Sequence, residues 1–107
     1  MVSFETIQEM ARQIAAAFKP ERIILFGSHA RGTADEDCDV DLLVLLKEAP
    51  PPGRRGAPIR RMLARDFHFP IDVVVRTVQG FAAWRDVPGS LARKVSREGR
   101  VLYEKAE

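Results

Sequence analysis

The chain is poor in the residues that build covalently stapled or metal-clipped scaffolds. One cysteine, Cys38, among 107 residues excludes an internal disulfide and suits a reducing cytosol, so we expect a cytoplasmic protein. Two histidines, His29 and His68, without a matching cysteine cluster leave no zinc site. His29 is expected at the surface, and His68, near a helix end, in a structural place. No apolar stretch is long enough to span a bilayer and no N-terminal run resembles a signal peptide, so no membrane association is expected. Gly-x-x-x-x-Gly-Lys-Ser/Thr is missing, which removes a P-loop. Gly-x-Gly-x-x-Gly after a strand is missing too, which removes a Rossmann dinucleotide site. Nothing repeats internally. The net charge of +2 is too small to argue for nucleic acid, and direct nucleic-acid binding is not expected.

What is present is the composition of an ordinary globular protein, 46% apolar and 30% charged, of a length that fits one domain over residues 1–107. Its charges are segregated. Acids crowd between Asp35 and Asp41, and arginines recur at Arg54, Arg55, Arg60, Arg61 and Arg65. Such separation orients a polyanionic ligand or a partner, or simply forms two solvated patches. Residues Ala49 to Pro58 are rich in proline, glycine and arginine and read as a surface loop.

Apolar periodicity predicts alternating helices and strands. Ser3 caps a helix whose Phe4, Ile7, Ala11, Ile14, Ala15 and Phe18 recur at helical spacing until Pro20. Arg22 to Phe26 form a short strand stopped by Gly27, and Ser28 to Arg31 begin a short helix ended by Gly32. Val40 to Leu46, apolar on both faces, is a buried strand. Ile59 to Phe67 fits a helix with Ile59, Leu63 and Phe67 on its apolar stripe. Ile71 to Val75 is a β-branched strand. Val78 to Trp84 and Ser90 to Glu98 are helices, the second capped by Gly99, and Val101 to Tyr103 add a last strand. The fold class is α+β, α/β-like, with one sheet and flanking helices.

The chemistry concentrates in Gly27 to Leu45. Asp39 and Asp41 open a strand meant for a core. Side chains two apart on a strand point the same way. Their carboxylates therefore project together and repel unless a cation meets them. Oxygen ligands of this kind suit Mg2+ or Mn2+. Asp72 alternates away from Ile71, Val73 and Val75. It reaches the pair if its strand neighbours Val40 to Leu46; the alternative is a strand-end acid paired with Arg76. Three such carboxylates would form the cage needed for two metals, which activate an attacking oxygen and stabilise the leaving one in an in-line displacement. Gly27 lets the backbone approach a phosphate, and the first N–H groups of the following turn, with the Ser28 hydroxyl, supply donors. Arg31 either steadies phosphate charge or forms a salt bridge with an acid such as Asp35.

The string Gly27-Ser28, ten residues, Asp39-x-Asp41, within Gly-Ser-x-Ala-Arg-Gly and Asp-x-Asp-Leu-Leu-Val, resembles the minimal nucleotidyltransferases, a branch of the DNA polymerase β superfamily. The strand bearing Asp72 and the final Glu-Gly-Arg-Val-Leu-Tyr-Glu extend the resemblance over nearly the whole chain. Cys38 departs from it, standing where many relatives have serine, and a thiol is the weaker hydrogen-bond donor. The resemblance implies a small mixed β-sheet flanked by helices. It implies that Gly27 and Ser28, with Arg31, hold the triphosphate, that Asp39, Asp41 and Asp72 bind metal, and that Asp72 assists deprotonation of an acceptor hydroxyl.

The implied reaction is attack of a hydroxyl on the α-phosphate of ATP with release of pyrophosphate. A chain this short is expected to rely on another protein or subunit to complete the acceptor site. The resemblance names that partner as a HEPN-domain toxin, inactivated by transfer of AMP to a hydroxyl, expected to be that of a tyrosine, so that this chain acts as the antitoxin. The arginine-bearing helix, Phe81 and Trp84 are candidate contact surfaces, with core packing the alternative for the two aromatics. Two other readings stay open: an antitoxin that neutralises by occupancy alone, and a stand-alone nucleotidyltransferase acting on RNA or a small molecule. Base preference and self-association are not fixed by the sequence.

Overall fold

The computed structural model describes residues 2–34, 39–51 and 56–106. Cys38, Asp35 and the centre of the proline-rich loop lie outside the described residues. The elements run α1 (Phe4–Phe18), β1 (Arg22–Phe26), α2 (Ser28–Arg31), β2 (Val40–Leu46), α3 (Ala57–Leu63), β3 (Ile71–Thr77), α4 (Val78–Trp84), α5 (Leu91–Glu98) and β4 (Arg100–Glu104).

The sheet has the order β3-β2-β1-β4. β1 pairs antiparallel with both β2 and β4, whereas β2 and β3 are parallel. The mixed sheet follows from the connections. The turn through α2 reverses the chain between β1 and β2, while the longer crossover through α3 returns it to run parallel.

Each sheet face carries its own apolar cluster. Ile23, Leu25, Leu42, Val44, Val73 and Val75 pack against α1 and α3. On the other face Ile24, Phe26, Leu43 and Leu45 meet Phe81 of α4 and Ala92 and Val95 of α5. α1 begins as the sequence indicates, with the Ser3 side chain accepting from the Thr6 N–H. It ends one residue before Lys19, which turns left-handed at φ 49° ahead of Pro20.

Two elements differ from expectation. α3 starts two residues early, with Pro58 in its first turn, a place proline favours. It stops at Leu63, because Arg65 and Asp66 donate to Met62 and Leu63 and tighten the chain. Phe67 therefore reaches the core from a turn. Gly99 does cap α5, but with φ −74°, so left-handed freedom is not its purpose. A Cβ there would stand 2.5 Å from the Val95 carbonyl oxygen and 2.7 Å from Ile24 Cγ2. Gly99→Ala is thus expected to destabilise the fold by about 1–3 kcal/mol through overpacking, read as a lower midpoint in urea denaturation.

Candidate active site

The β2–β3 register decides the site. Asp41 stands directly across from Asp72, and Phe26 lies opposite Asp41 on the β1 side. Adjacent strands are about 5 Å apart, so two carboxylates issue from neighbouring backbones. Both are out of phase with the buried Leu42 and Val73 and in phase with Leu43 and Val74, which places them on the face of α4 and α5. Asp39, one residue before β2, shares Asp41's phase. Asp41 is half-buried, while Asp39 and Asp72 are exposed.

Electrostatics show that these groups feel one another. The Asp41 carboxyl is pushed above its ordinary value, first by burial, then by the negative charges of Asp72 and Asp39. The Lys94 ammonium acts in the opposite sense, as does the His29 ring when it carries a second proton. Among the described residues no three acidic, histidine or cysteine side chains close into a ready metal-ligating group. Repulsion alone favours such splaying. The donor set, all carboxylate oxygen and partly open, fits Mg2+ or Mn2+ as ordinary ligands of hard cations.

Gly27 forms the adjoining wall. It is buried, has φ 77°, and directly precedes α2. A side chain there would collide with the Asp41 carboxylate, so the Gly-Ser turn and the carboxylate occupy contiguous space. The Gly27 carbonyl accepts from Ala30 and Arg31. The amides of Ser28 and His29 then have no acceptor within the helix. Arg31 lies 3.6 Å from Glu98 of α5, with both side chains about 40% exposed. Glu98 is thus one acid that Arg31 meets, and the expected pairing with Asp35 lies outside the described residues. An exposed pair of this kind is worth under about 1 kcal/mol.

One reading of an individual residue changes, and two open ones are decided. His29 is buried, not superficial, at 8% exposure. Its Nδ1 lies 3.1 Å from the Asp39 carbonyl oxygen, and its Nε2 accepts from the Val2 N–H at 3.3 Å. Phe81 belongs to the core at 7% exposure, whereas Trp84 is 59% exposed. Lys94 is absent from the sequence-based site because nothing local to α5 marks it. Only the packing of α5 beside β1 brings its charge toward Asp41. Farther along the same face a cleft of about 430 Å3 is lined by Leu43, Arg76, Phe81, Trp84 and Leu91, among others.

The profile of the nucleotidyltransferase domain matches residues 7–101. The chain belongs to the nucleotidyltransferase domain family. It is 48% identical over 52 residues to "Putative protein adenylyltransferase MJ0141" of Methanocaldococcus jannaschii, a match covering 47% of this chain and 52% of that protein. It is 71% identical over 28 residues to "Putative protein adenylyltransferase MJ1305" of the same organism, covering 26% of this chain and 19% of that one. The matches thus span about half and about a fifth of these curated relatives. Among solved structures, a toxin–antitoxin complex with AMP-PNP superposes with a TM-score of 0.68 at 22% identity, over 92% of this chain and 73% of that one. A mutant of the toxin–antitoxin MntA-HpeT gives 0.64 at 23%, over 98% and 75%. The "putative nucleotidyltransferase from Sulfolobus solfataricus" gives 0.59 at 20%, over 94% and 79%. At these identities the superpositions establish the shared fold, with its mixed sheet and flanking helices.

The raised Asp41 carboxyl has a stability consequence with a definite sign. Below the ordinary aspartate value the group is neutral in both folded and unfolded chains and costs nothing. As pH rises through the folded value, ionisation penalises the folded state. Asp41→Asn is therefore expected to raise Tm at neutral pH and to lose that advantage in acid, as measured by calorimetric melts across pH.

Proposed function

We propose that this chain is a metal-dependent adenylyltransferase that moves AMP from ATP to a hydroxyl of a protein partner. The carrying observation is the in-register meeting of Asp41 and Asp72 beside the Gly27 wall, in a chain of this family. In this reading Gly27 and Ser28 hold the triphosphate with donors of the turn, and Arg31 leaves its weak pairing with Glu98 to balance phosphate charge. Asp39, Asp41 and Asp72 would hold Mg2+ or Mn2+, which supplies charge neutralisation at the reacting phosphate. The acceptor oxygen attacks the α-phosphorus, and its proton passes to the Asp72 carboxylate. The bond between the α-phosphorus and the oxygen bridging to the β-phosphate breaks, and pyrophosphate leaves. Asp72 suits the proton role because it is the more exposed member of the cross-strand pair.

The partner we favour is a HEPN-domain toxin, with a tyrosine hydroxyl as acceptor and this chain as the antitoxin. Support comes from the fold shared with toxin–antitoxin structures and from the name of the curated relatives. Exposed Trp84, beside the cleft on the carboxylate face, offers an aromatic contact of the kind enriched at interfaces. Among the described residues no helix is long and apolar enough to cross a membrane, and the lone cysteine suits a cytosolic site of action.

The test is incubation of the chain with α-labelled ATP, Mg2+ and the candidate toxin. Label is expected on the toxin and is expected to fall by about a hundredfold or more in Asp41→Asn, given the several kcal/mol that metal charge supplies. Toxin protection without label, unchanged in Asp41→Asn, would instead show neutralisation by occupancy. Label on RNA or a metabolite would show a stand-alone enzyme.

A further inference from the structure

His29 is the buried polar residue among the described side chains, and no buried side-chain nitrogen or oxygen there lacks a partner. Its two ring nitrogens have distinct tasks. A backbone N–H can only donate, so Nε2, facing the Val2 N–H at 3.3 Å, must be the accepting nitrogen. The ring proton then belongs on Nδ1, where it is donated to the Asp39 carbonyl oxygen 3.1 Å away. The ring follows Ser28 directly in sequence and spans from α2 to the residue just before β2. It therefore ties the backbone of the Gly-Ser turn to the backbone of the first carboxylate, ten positions later.

That link matters because Asp39 is exposed and lies before the ladder of β2 begins at Val40. A ligand carboxylate holds its geometry only as well as the backbone carrying it, and polar groups that orient metal ligands commonly govern affinity. We propose that His29 is a positioning residue that sets Asp39 for metal–nucleotide binding through its Nδ1–H bond to the Asp39 carbonyl. This rests on the metal-binding reading of Asp39 given above. In this role the ring acts through its hydrogen bond to the Asp39 carbonyl, not as a catalytic residue.

Two measurements test it. In 15N-histidine NMR of the protein without metal or nucleotide, the neutral His29 ring is expected to carry its proton on Nδ1 and leave Nε2 bare; the opposite tautomer would overturn the assignment. Calorimetric titration with Mn2+ and a non-hydrolysable ATP analogue then compares variants whose folding is checked by melting. His29→Leu is expected to weaken binding by about tenfold. His29→Asn, whose amide nitrogen occupies the place of Nδ1, should recover most of the loss. His29→Gln, whose nitrogen reaches only the place of Nε2, should not. If the leucine variant does not fold, the asparagine–glutamine contrast decides. Equal binding by the asparagine and glutamine variants, or wild-type binding in a folded leucine variant, would overturn the positioning role alone. Failure of the wild type to take up the analogue would overturn the proposed function and this inference together.

Discussion

The parallel pairing of β2 with β3 is the constraint from which the rest follows. One register sets Asp41 across from Asp72 and at the same stroke sends Leu42 and Val73 into the opposite cluster. A slip of β3 by one residue would exchange its faces, turning Asp72 beneath α1 and α3 and carrying Val73 and Val75 out of that cluster. The cost of misregister is therefore lost hydrophobic burial, and the apolar residues enforce the placement of the acids. Repulsion between the carboxylates is the smaller effect, and it stays local because Asp72 and Asp39 remain in contact with water.

The two faces of the sheet divide the labour accordingly. The face under α1 and α3 is closed, with Met10, Ile14, Leu42 and Leu63 fully buried, and it supplies the rigid support that a charged site requires. The other face is apolar only where Phe81, Ala92 and Val95 cover it. Toward the start of β2 and β3 the cover gives way to Gly27, the carboxylates and the charge of Lys94. An acid raised by burial and by like charges beside an open face is held there at some expense to stability.

Much of this is legible in the sequence. Hydrophobic periodicity locates every strand and helix to within a few residues, and alternation in Ile71 to Val75 correctly sends Asp72 to the face away from its apolar neighbours. The failures have a common cause in long-range packing. His29 looks superficial in the sequence because a lone polar residue carries no local sign that Val2 and Asp39 will satisfy both its nitrogens. Lys94 is invisible there because its relation to Asp41 depends on how α5 lies beside β1. Gly99 suggests backbone freedom, whereas close packing against Ile24 and the Val95 carbonyl demands it. The early end of α3 depends on tightened turns that a helical stripe cannot reveal.

The central claim is that Asp39, Asp41 and Asp72 share one cation beside the Gly27–Ser28 turn. Anomalous diffraction from crystals grown with Mn2+ and a non-hydrolysable ATP analogue tests it most directly. The account requires a manganese peak bounded by all three carboxylates, with the analogue's phosphates against Gly27 and Ser28. A peak elsewhere, or one from which the Asp72 carboxylate is turned away, would contradict it.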